Sequence, residues 1–208
     1  MKAQTAYGRT TLHLATEIGD ECLVKLALDS GVDTDSRDSC GTRPIHDALN
    51  AGVARLLLNH GADPHCKDSF EETPLLAAAF RDDVGVVTLL LEENAAINAR
   101  DDQGRTPLHR AVAMKKVGVV QTLLAAGAAV DLQDVQLKTP LHAAVHSGNV
   151  EIVRALLSSL PNPFLRDDSG KTPIEHLRAL IAEAETESAK EKFDKIVSLF
   201  FESGERAE

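Results

Sequence analysis

One short segment recurs along the chain, and its spacing restricts the possible folds more than any other property. Around Pro107 the sequence reads Gly104-Arg105-Thr106-Pro107-Leu108-His109-Arg110-Ala111-Val112. Related segments place Thr11, Pro44, Pro74, Pro107, Pro140 and Pro173 at steps of 33, 30, 33, 33 and 33 residues. A period in this range means that each copy is one supersecondary unit, too thin to bury its own apolar face, which gains a core only by stacking on its neighbours. In the better copies Thr stands where a helix needs an N-cap, and Pro follows at the first helical position, where its missing N–H costs nothing. Thr11 takes the place of that Pro in the first copy, which keeps the helix start and loses the preset φ.

A second helix follows in each copy. Val84, Val87, Leu90 and Leu91 recur as Val117, Val120, Leu123 and Leu124, and again as Val150, Val153, Leu156 and Leu157. This is helical spacing, and these positions are expected to face neighbouring layers as core rather than to line a cofactor pocket. Gly31, Gly61, Asn94 and Gly127 stand at equivalent places past those helices, where the chain must turn into the left-handed region. Asp38, Asp68, Asp101, Asp134 and Asp167 each precede an aligned Pro by six residues. Aspartate bonds nearby backbone N–H groups in turns, so this set shapes the hairpins between copies and is not a catalytic pair.

Thr106-Pro107-Leu108-His109, Thr139-Pro140-Leu141-His142 and Thr10-Thr11-Leu12-His13 resemble the tetrapeptide of ankyrin repeats. Leu90-Leu91, Leu123-Leu124 and Gly61-Ala62-Asp63 are similar to that family's second-helix and loop signatures. The resemblance covers almost the whole chain. It implies an all-α solenoid of stacked helix-turn-helix units with β-hairpin-like loops, forming one domain over residues 1–208. The repeats would fall at about 5–37, 38–67, 68–100, 101–133, 134–166 and 167–204, the last extended as a cap. His13, His46, His109 and His142, two residues after the aligned position, are implied to bond the backbone and the Thr hydroxyl of their own repeat.

The function implied is a non-catalytic module that binds a protein in a concave groove of hairpin tips and first helices. Carried over position by position, the tips supply Tyr7, Arg9, Cys40, Phe70, Gln103, Arg105, Gln136 and Lys138, and the first helices supply Phe80, Arg81, Met114 and His146. Phe70, Phe80 and Met114 are expected on neighbouring layers and read as anchors, since aromatic residues, Met and Arg dominate interface energetics; Phe80 could instead turn inward and fill space. Arg9, Arg81, Arg105, Lys138 and Lys171 would make the groove side more basic than the chain as a whole. That pattern reads equally as solvated hairpins paired with Asp or as a site for an acidic peptide.

Three departures from the period stand out. Repeat two lacks three residues between Pro44-Ile45-His46-Asp47-Ala48 and the helix near Val53, about one helical turn, so its first helix is expected to be truncated. Ankyrin-type inhibitors of cyclin-dependent kinases have a similarly abbreviated helix there, and Asn59-His60-Gly61-Ala62-Asp63-Pro64-His65-Cys66 is similar to that region of them. This resemblance implies the alternative of an inhibitory or regulatory subunit of an enzyme; a targeting module of a larger protein is a third reading. In repeat five Leu160-Pro161-Asn162-Pro163-Phe164 replaces the usual loop, so the helix is expected to be stopped by Pro161 without a left-handed glycine. The last unit carries a charged insertion over 183–190 before Phe193, Ile196, Val197 and Phe200, which should seal the stack.

The formal net charge of -10 argues against nucleic acid or an anionic membrane as partner, since both require clustered positive charge. No run approaches the length of about 18 apolar residues that spans a bilayer, and Met1-Lys2-Ala3-Gln4 leads into no signal-like segment. Three cysteines, Cys22, Cys40 and Cys66, give no disulfide framework. A monomer in the cytoplasm or nucleus is the expectation. His60, His65, Cys66 and Cys40 include acceptable zinc ligands at no standard zinc spacing, and no phosphate loop, nucleophile elbow or metalloprotease helix is present. No cofactor, metal, small-molecule substrate or catalytic residue is therefore expected.

Overall fold

The computed structural model describes residues 5–184 and 186–204. Met1 to Gln4, read above for a signal segment, and Glu185 of the charged insertion lie outside them. The described residues form α-helices, one 3₁₀ turn and no strand: α1 Thr11–Ile18, α2 Glu21–Asp29, the 3₁₀ turn Pro44–Asp47, α3 Ala51–Asn59, α4 Pro74–Arg81, α5 Val84–Glu92, α6 Pro107–Ala113, α7 Val117–Ala125, α8 Pro140–Ser147, α9 Val150–Leu157, α10 Pro173–Glu183 and α11 Glu187–Gly204. The fold class is thus all-α, with paired helices stacked as in a repeat solenoid.

The chain divides between Asp102 and Gln103 into two compact units of three layers each. In the first unit the 3₁₀ turn packs between α1 and α4, while α3 packs between α2 and α5. In the second unit α8 packs between α6 and α10, and α9 between α7 and α11. First helices therefore meet first helices, and second helices meet second helices.

Helix starts follow the sequence pattern closely. The side chains of Thr10, Thr73, Thr106, Thr139 and Thr172 accept a hydrogen bond from the backbone N–H three residues on. The absent Pro at Thr11 leaves α1 intact. Repeat two has Arg43 at the capping position, which provides no side-chain cap, and its first helix is reduced to the single 3₁₀ turn.

In the second helices the buried element is a doublet. Val86 and Val87, Val119 and Val120, and Ile152 and Val153 are fully buried. Leu57, Leu90, Leu123 and Leu156 complete the core at equivalent positions. Val84, expected to face a neighbour, is 40% exposed at the helix start, and Val86 does that work instead. Burying a side chain of this size contributes about 1.5–3 kcal/mol. The last helix closes the second unit through Ile196, Leu199 and Phe200, all buried, with Phe193 and Val197 half-buried.

Positive φ recurs at the helix ends. Gly31, Gly61, Asn94 and Gly127 take values of 74°, 85°, 59° and 84°, as their residue types foretell. The fifth repeat departs from expectation: Leu160 itself adopts the left-handed conformation, with φ 53°, so Pro161 follows that turn and does not replace it. Stacking sets the path of the chain there, and a leucine must follow it.

Candidate partner-binding surface

Between successive repeats the chain forms a tight hairpin around the recurring aspartate. The Asp38 carboxylate accepts from Cys40 N–H and Thr42 N–H at 2.8 and 3.0 Å, and Asp68 from Phe70 and Glu72 at 2.8 and 2.9 Å. Asp134 does the same for Gln136 and Lys138, and Asp167 for Ser169 and Lys171. One carboxylate oxygen thus satisfies two backbone donors that the turn would leave unpaired. At Gly104 an added Cβ would lie 3.3 Å from Val135 N, and φ is 71°, so this tip needs glycine on both counts. Glu71 and Leu137 hold the equivalent place in their hairpins at φ 58° and 55°.

Consecutive tips are tied by single backbone hydrogen bonds. Tyr7 C=O accepts from Ser39 N–H, Cys40 from Ser69, Phe70 from Asp102, Gln103 from Val135 and Gln136 from Asp168, at 2.9 to 3.0 Å. The accepting residues are five of the proposed recognition positions. Their backbones are fixed by the neighbouring repeat while the side chains of all five remain exposed. Rigid presentation of a projecting side chain lowers the entropy cost of binding.

The first-helix histidines connect layers rather than serving only their own repeat. In His13, His109 and His142 Nδ1 accepts from the backbone N–H of Thr10, Thr106 and Thr139 and lies 2.9 Å from the Thr hydroxyl. Their Nε2–H groups donate to the carbonyls of Thr42, Lys138 and Lys171, each 29 residues on. His46 spans Arg43 N–H and Glu72 C=O in the same way. This pairing requires the neutral Nε2–H tautomer. Burial pushes the His46 and His142 imidazoles below their ordinary pKa, consistent with that tautomer. Tertiary stacking supplies the second partner, which lies in another repeat.

The truncated repeat draws two of the sequence-selected arginines inward. Arg9 pairs with Asp47 and Glu17 and approaches Asp38. Arg81 donates to Ala48 C=O, and burial lowers its pKa. Asp47 is pushed up by burial against the pull of these guanidinium groups. Much of the positive charge assigned to the groove is thus compensated within the first unit. Phe80, by contrast, does not turn inward: it is 44% exposed, beside values of 72% for Tyr7 and 53% for Phe70 in the same unit. In the second unit Met114 is 41% exposed, His146 is exposed, and Arg105 and Lys138 are half-buried.

The cysteine and histidine group is dispersed. Cys66 is buried with its sulfur 3.9 Å from both ring nitrogens of His46, and burial pushes its thiol up to about 11, which suits a packed thiol rather than a metal ligand. Cys22 and Cys40 are exposed free thiols, and His60 bonds Leu56 C=O at its own helix end.

The family model for ankyrin repeats matches three times, over residues 1–68, 45–134 and 114–180. This chain belongs to the ankyrin-repeat family. Among its relatives, the 2-5A-dependent ribonuclease of Mus musculus is 36% identical over 76 residues, which is 35% of this chain and 10% of that protein. ADP-ribosylation factor GTPase-activating proteins AGD4 and AGD2 of Arabidopsis thaliana are 39% and 38% identical over 64 residues, 29% of this chain and 8% of theirs. The chain spans a tenth or less of these relatives, so the likeness concerns the repeats alone. Ankyrin repeats are generally non-catalytic interaction modules, and among the described residues no helix is long and apolar enough to cross a membrane.

Within this ankyrin fold, sequence comparison position by position missed some exposed apolar groups. Val135 and Leu137 project from the same hairpin, and Phe164 is 80% exposed in the Pro-flanked loop after α9. Two prolines just before an aromatic residue, Pro161 and Pro163, are the one signal that could have found Phe164. Leu14, Ile18, Leu23 and Leu26 are exposed on α1 and α2 and line an open cavity of about 400 Å³. Leu23 aligns with Val53, Val86, Val119 and Ile152, all fully buried, so this is the stacking face of the first layer.

Proposed function

We propose that this ankyrin-repeat chain is a non-catalytic module that binds a protein partner through its hairpin tips and first helices. The observation supporting this reading is the set of inter-repeat backbone bonds that hold Tyr7, Cys40, Phe70, Gln103 and Gln136 in place while leaving their side chains outward. Phe70 and Phe80 are its anchors in the first unit, with Tyr7, Arg9, Cys40 and Arg81 around them. Gln103, Arg105, Met114, Gln136, Lys138 and His146 carry recognition in the second. The net charge of -10 favours a protein over nucleic acid as partner.

The 3₁₀ turn Pro44–Asp47 supports a second reading, an inhibitory subunit of an enzyme such as a kinase, because it is the abbreviated first helix on which the resemblance to ankyrin-type kinase inhibitors rests. Affinity capture with mass spectrometry identifies the partner, and a purified rate assay separates the two readings: an inhibitor lowers the partner's turnover, whereas a tether leaves it unchanged. Phe70→Ala with Phe80→Ala should weaken binding by roughly 2 to 4 kcal/mol, the scale of hot-spot truncation, with the thermal melt unchanged. A lowered melt with unchanged affinity in the folded fraction would assign both rings to packing.

A further inference from the structure

The first layer departs from the others at one core position. Leu57, Leu90, Leu123 and Leu156 are fully buried at the same point of successive second helices, and the residue that stands there in α2 is Ala27. Ala27, half-buried, forms with the buried Ala15 the floor of the open cavity of about 400 Å³ between α1 and α2. Leu14, Ile18, Leu23 and Leu26 stand around that floor and remain 39% to 68% exposed. The face is therefore hollow where the inner layers are filled, and it carries large side chains beside the hollow.

Its electrostatics are equally distinct. The chain has a net charge of -10, so two copies repel each other at long range. Among the described residues no charged side chain lines this cavity. Glu17 at the end of α1 is bonded to Arg9 of the preceding hairpin, and the Glu21 carboxylate of α2 lies over Gly52 in the next layer. Here two copies meet without opposing like charges. Four large side chains about half exposed, with the small residues between them, amount to roughly 500 Å² per protomer and roughly 1,000 Å² for a pair, the size at which specific interfaces begin.

We propose that this face is the interface of a homodimer, in which Leu26 of each copy enters the hollow over Ala27 of the other. A closed pair related by a two-fold axis needs one patch that is both knob and hole. Adjacent residues of α2 supply the two, Leu26 at 68% exposure and Ala27 beside it. Layers that stack on an ordinary repeat carry leucine at the position of Ala27, so the hollow is matched to a protruding side chain from outside the stack. The last layer of the second unit is covered by α11 through Ile196, Leu199 and Phe200, so copies pair through the same face and do not string into a filament. Composition leads to the expectation of a monomer, because it does not register which leucines stacking leaves outside. The dimer carries the hairpin-tip surface twice, and the proposal does not rest on what that surface binds.

Sedimentation velocity of the full chain between about 1 and about 200 µM should show a reversible monomer–dimer equilibrium, the range that an interface of this size supports. Raising the salt from about 0.05 to about 0.5 M should leave the dimer as tight or tighten it, since the contact is apolar and the repulsion is screened. Leu26→Glu places like charges across the contact and should weaken the dimer about tenfold or more, with the melt of the dilute protein unchanged. Ala27→Leu gives the first layer the residue of the inner layers and should also weaken the dimer about tenfold by filling the hollow, whereas general surface stickiness would grow with the added methyl groups. Leu160→Glu, at an equally exposed site elsewhere, and Phe70→Ala with Phe80→Ala should leave the equilibrium as it is. A chain monomeric at the highest concentration, assemblies that grow beyond two, a dimer indifferent to Leu26→Glu, or one tightened by Ala27→Leu would each overturn the proposal. So would a monomer that takes up a different protein through Leu26, which assigns the face to that partner.

Discussion

The second and fifth repeats perform the same structural task with different means. The fifth has an eight-residue first helix, α8, capped by Thr139 and opened by Pro140. The second has four residues of 3₁₀ turn and no side-chain cap. Both keep the histidine bridge to the next layer, at 3.1 Å to Lys171 in one and 3.1 Å to Glu72 in the other. Both also keep a fully buried leucine at the same point of the second helix, Leu156 and Leu57. What the short repeat loses in first-helix packing is replaced by charge, with Arg9 on Asp47 and Arg81 on Ala48 C=O. Coupling between layers is therefore separable from the helix that usually carries it.

The largest effect expected from this contrast is in the core. Leu156→Ala should cost about 2–5 kcal/mol in urea unfolding, whereas Leu57→Ala should fall at the low end because a layer with a short first helix can collapse onto the cavity. Hydrogen exchange should likewise show residues 38–67 opening before 134–166. Equal costs and equal protection would mean that the ion pairs restore full packing to the second repeat.

Next in size is the charge that fills the gap. Asp47→Ala leaves Arg9 half-buried beside Glu17 and Asp38 and should cost about 1–3 kcal/mol, between an exposed and a buried pair. Thr139→Ala in the fifth repeat should cost about 1 kcal/mol through loss of the cap. Should Asp47→Ala prove neutral in a thermal melt, the second repeat would be held by its histidine bridge and core alone.

Smaller gains are expected where non-glycine residues adopt positive φ. Leu137→Gly and Leu160→Gly remove left-handed strain at exposed positions and should each stabilise by about 0.5 kcal/mol, since unfolded-chain entropy offsets part of the relief. Glu71→Gly is the matching change at the hairpin between the second and third repeats. Urea midpoints of the three variants would show whether both repeats bear the same backbone strain.

The pH response separates the two repeats last. His46 and His142 have pKa values lowered by burial, so the folded state binds fewer protons than the unfolded chain below about 6.5, and stability present above that pH declines as it falls through 6.5. The raised pKa of Asp47 acts the other way: above the unfolded value its ionisation disfavours folding, and acidification through the raised pKa removes that penalty. Asp167, with a lowered pKa, contributes stability above the unfolded value that is lost at more acid pH. Hydrogen exchange at pH 7, 5.5 and 4 should show both repeats weakening together at first, and the Asp167 hairpin weakening further while the second repeat is relieved.

The sequence by itself determined the period, the helix starts, the turn aspartates and most left-handed positions. These are local properties: a Thr cap, a Pro at the first turn and an Asp six residues earlier each act within one hairpin or one helical turn. It also located the missing turn of repeat two, because three absent residues cannot be regained by packing. Tertiary structure decided where the bridging nitrogens of the histidines go, since their partners lie 29 residues away in the next layer and no local signal points to them. It decided that Val86, not Val84, meets a neighbour, and that Leu160 must turn left-handed without being glycine. It drew Arg9 and Arg81 into the gap of the short repeat, because half-buried carboxylate and carbonyl groups there require donors, while Lys138 stayed beside a neutral amide. Residue type sets which conformations are cheap; stacking chooses which groups meet.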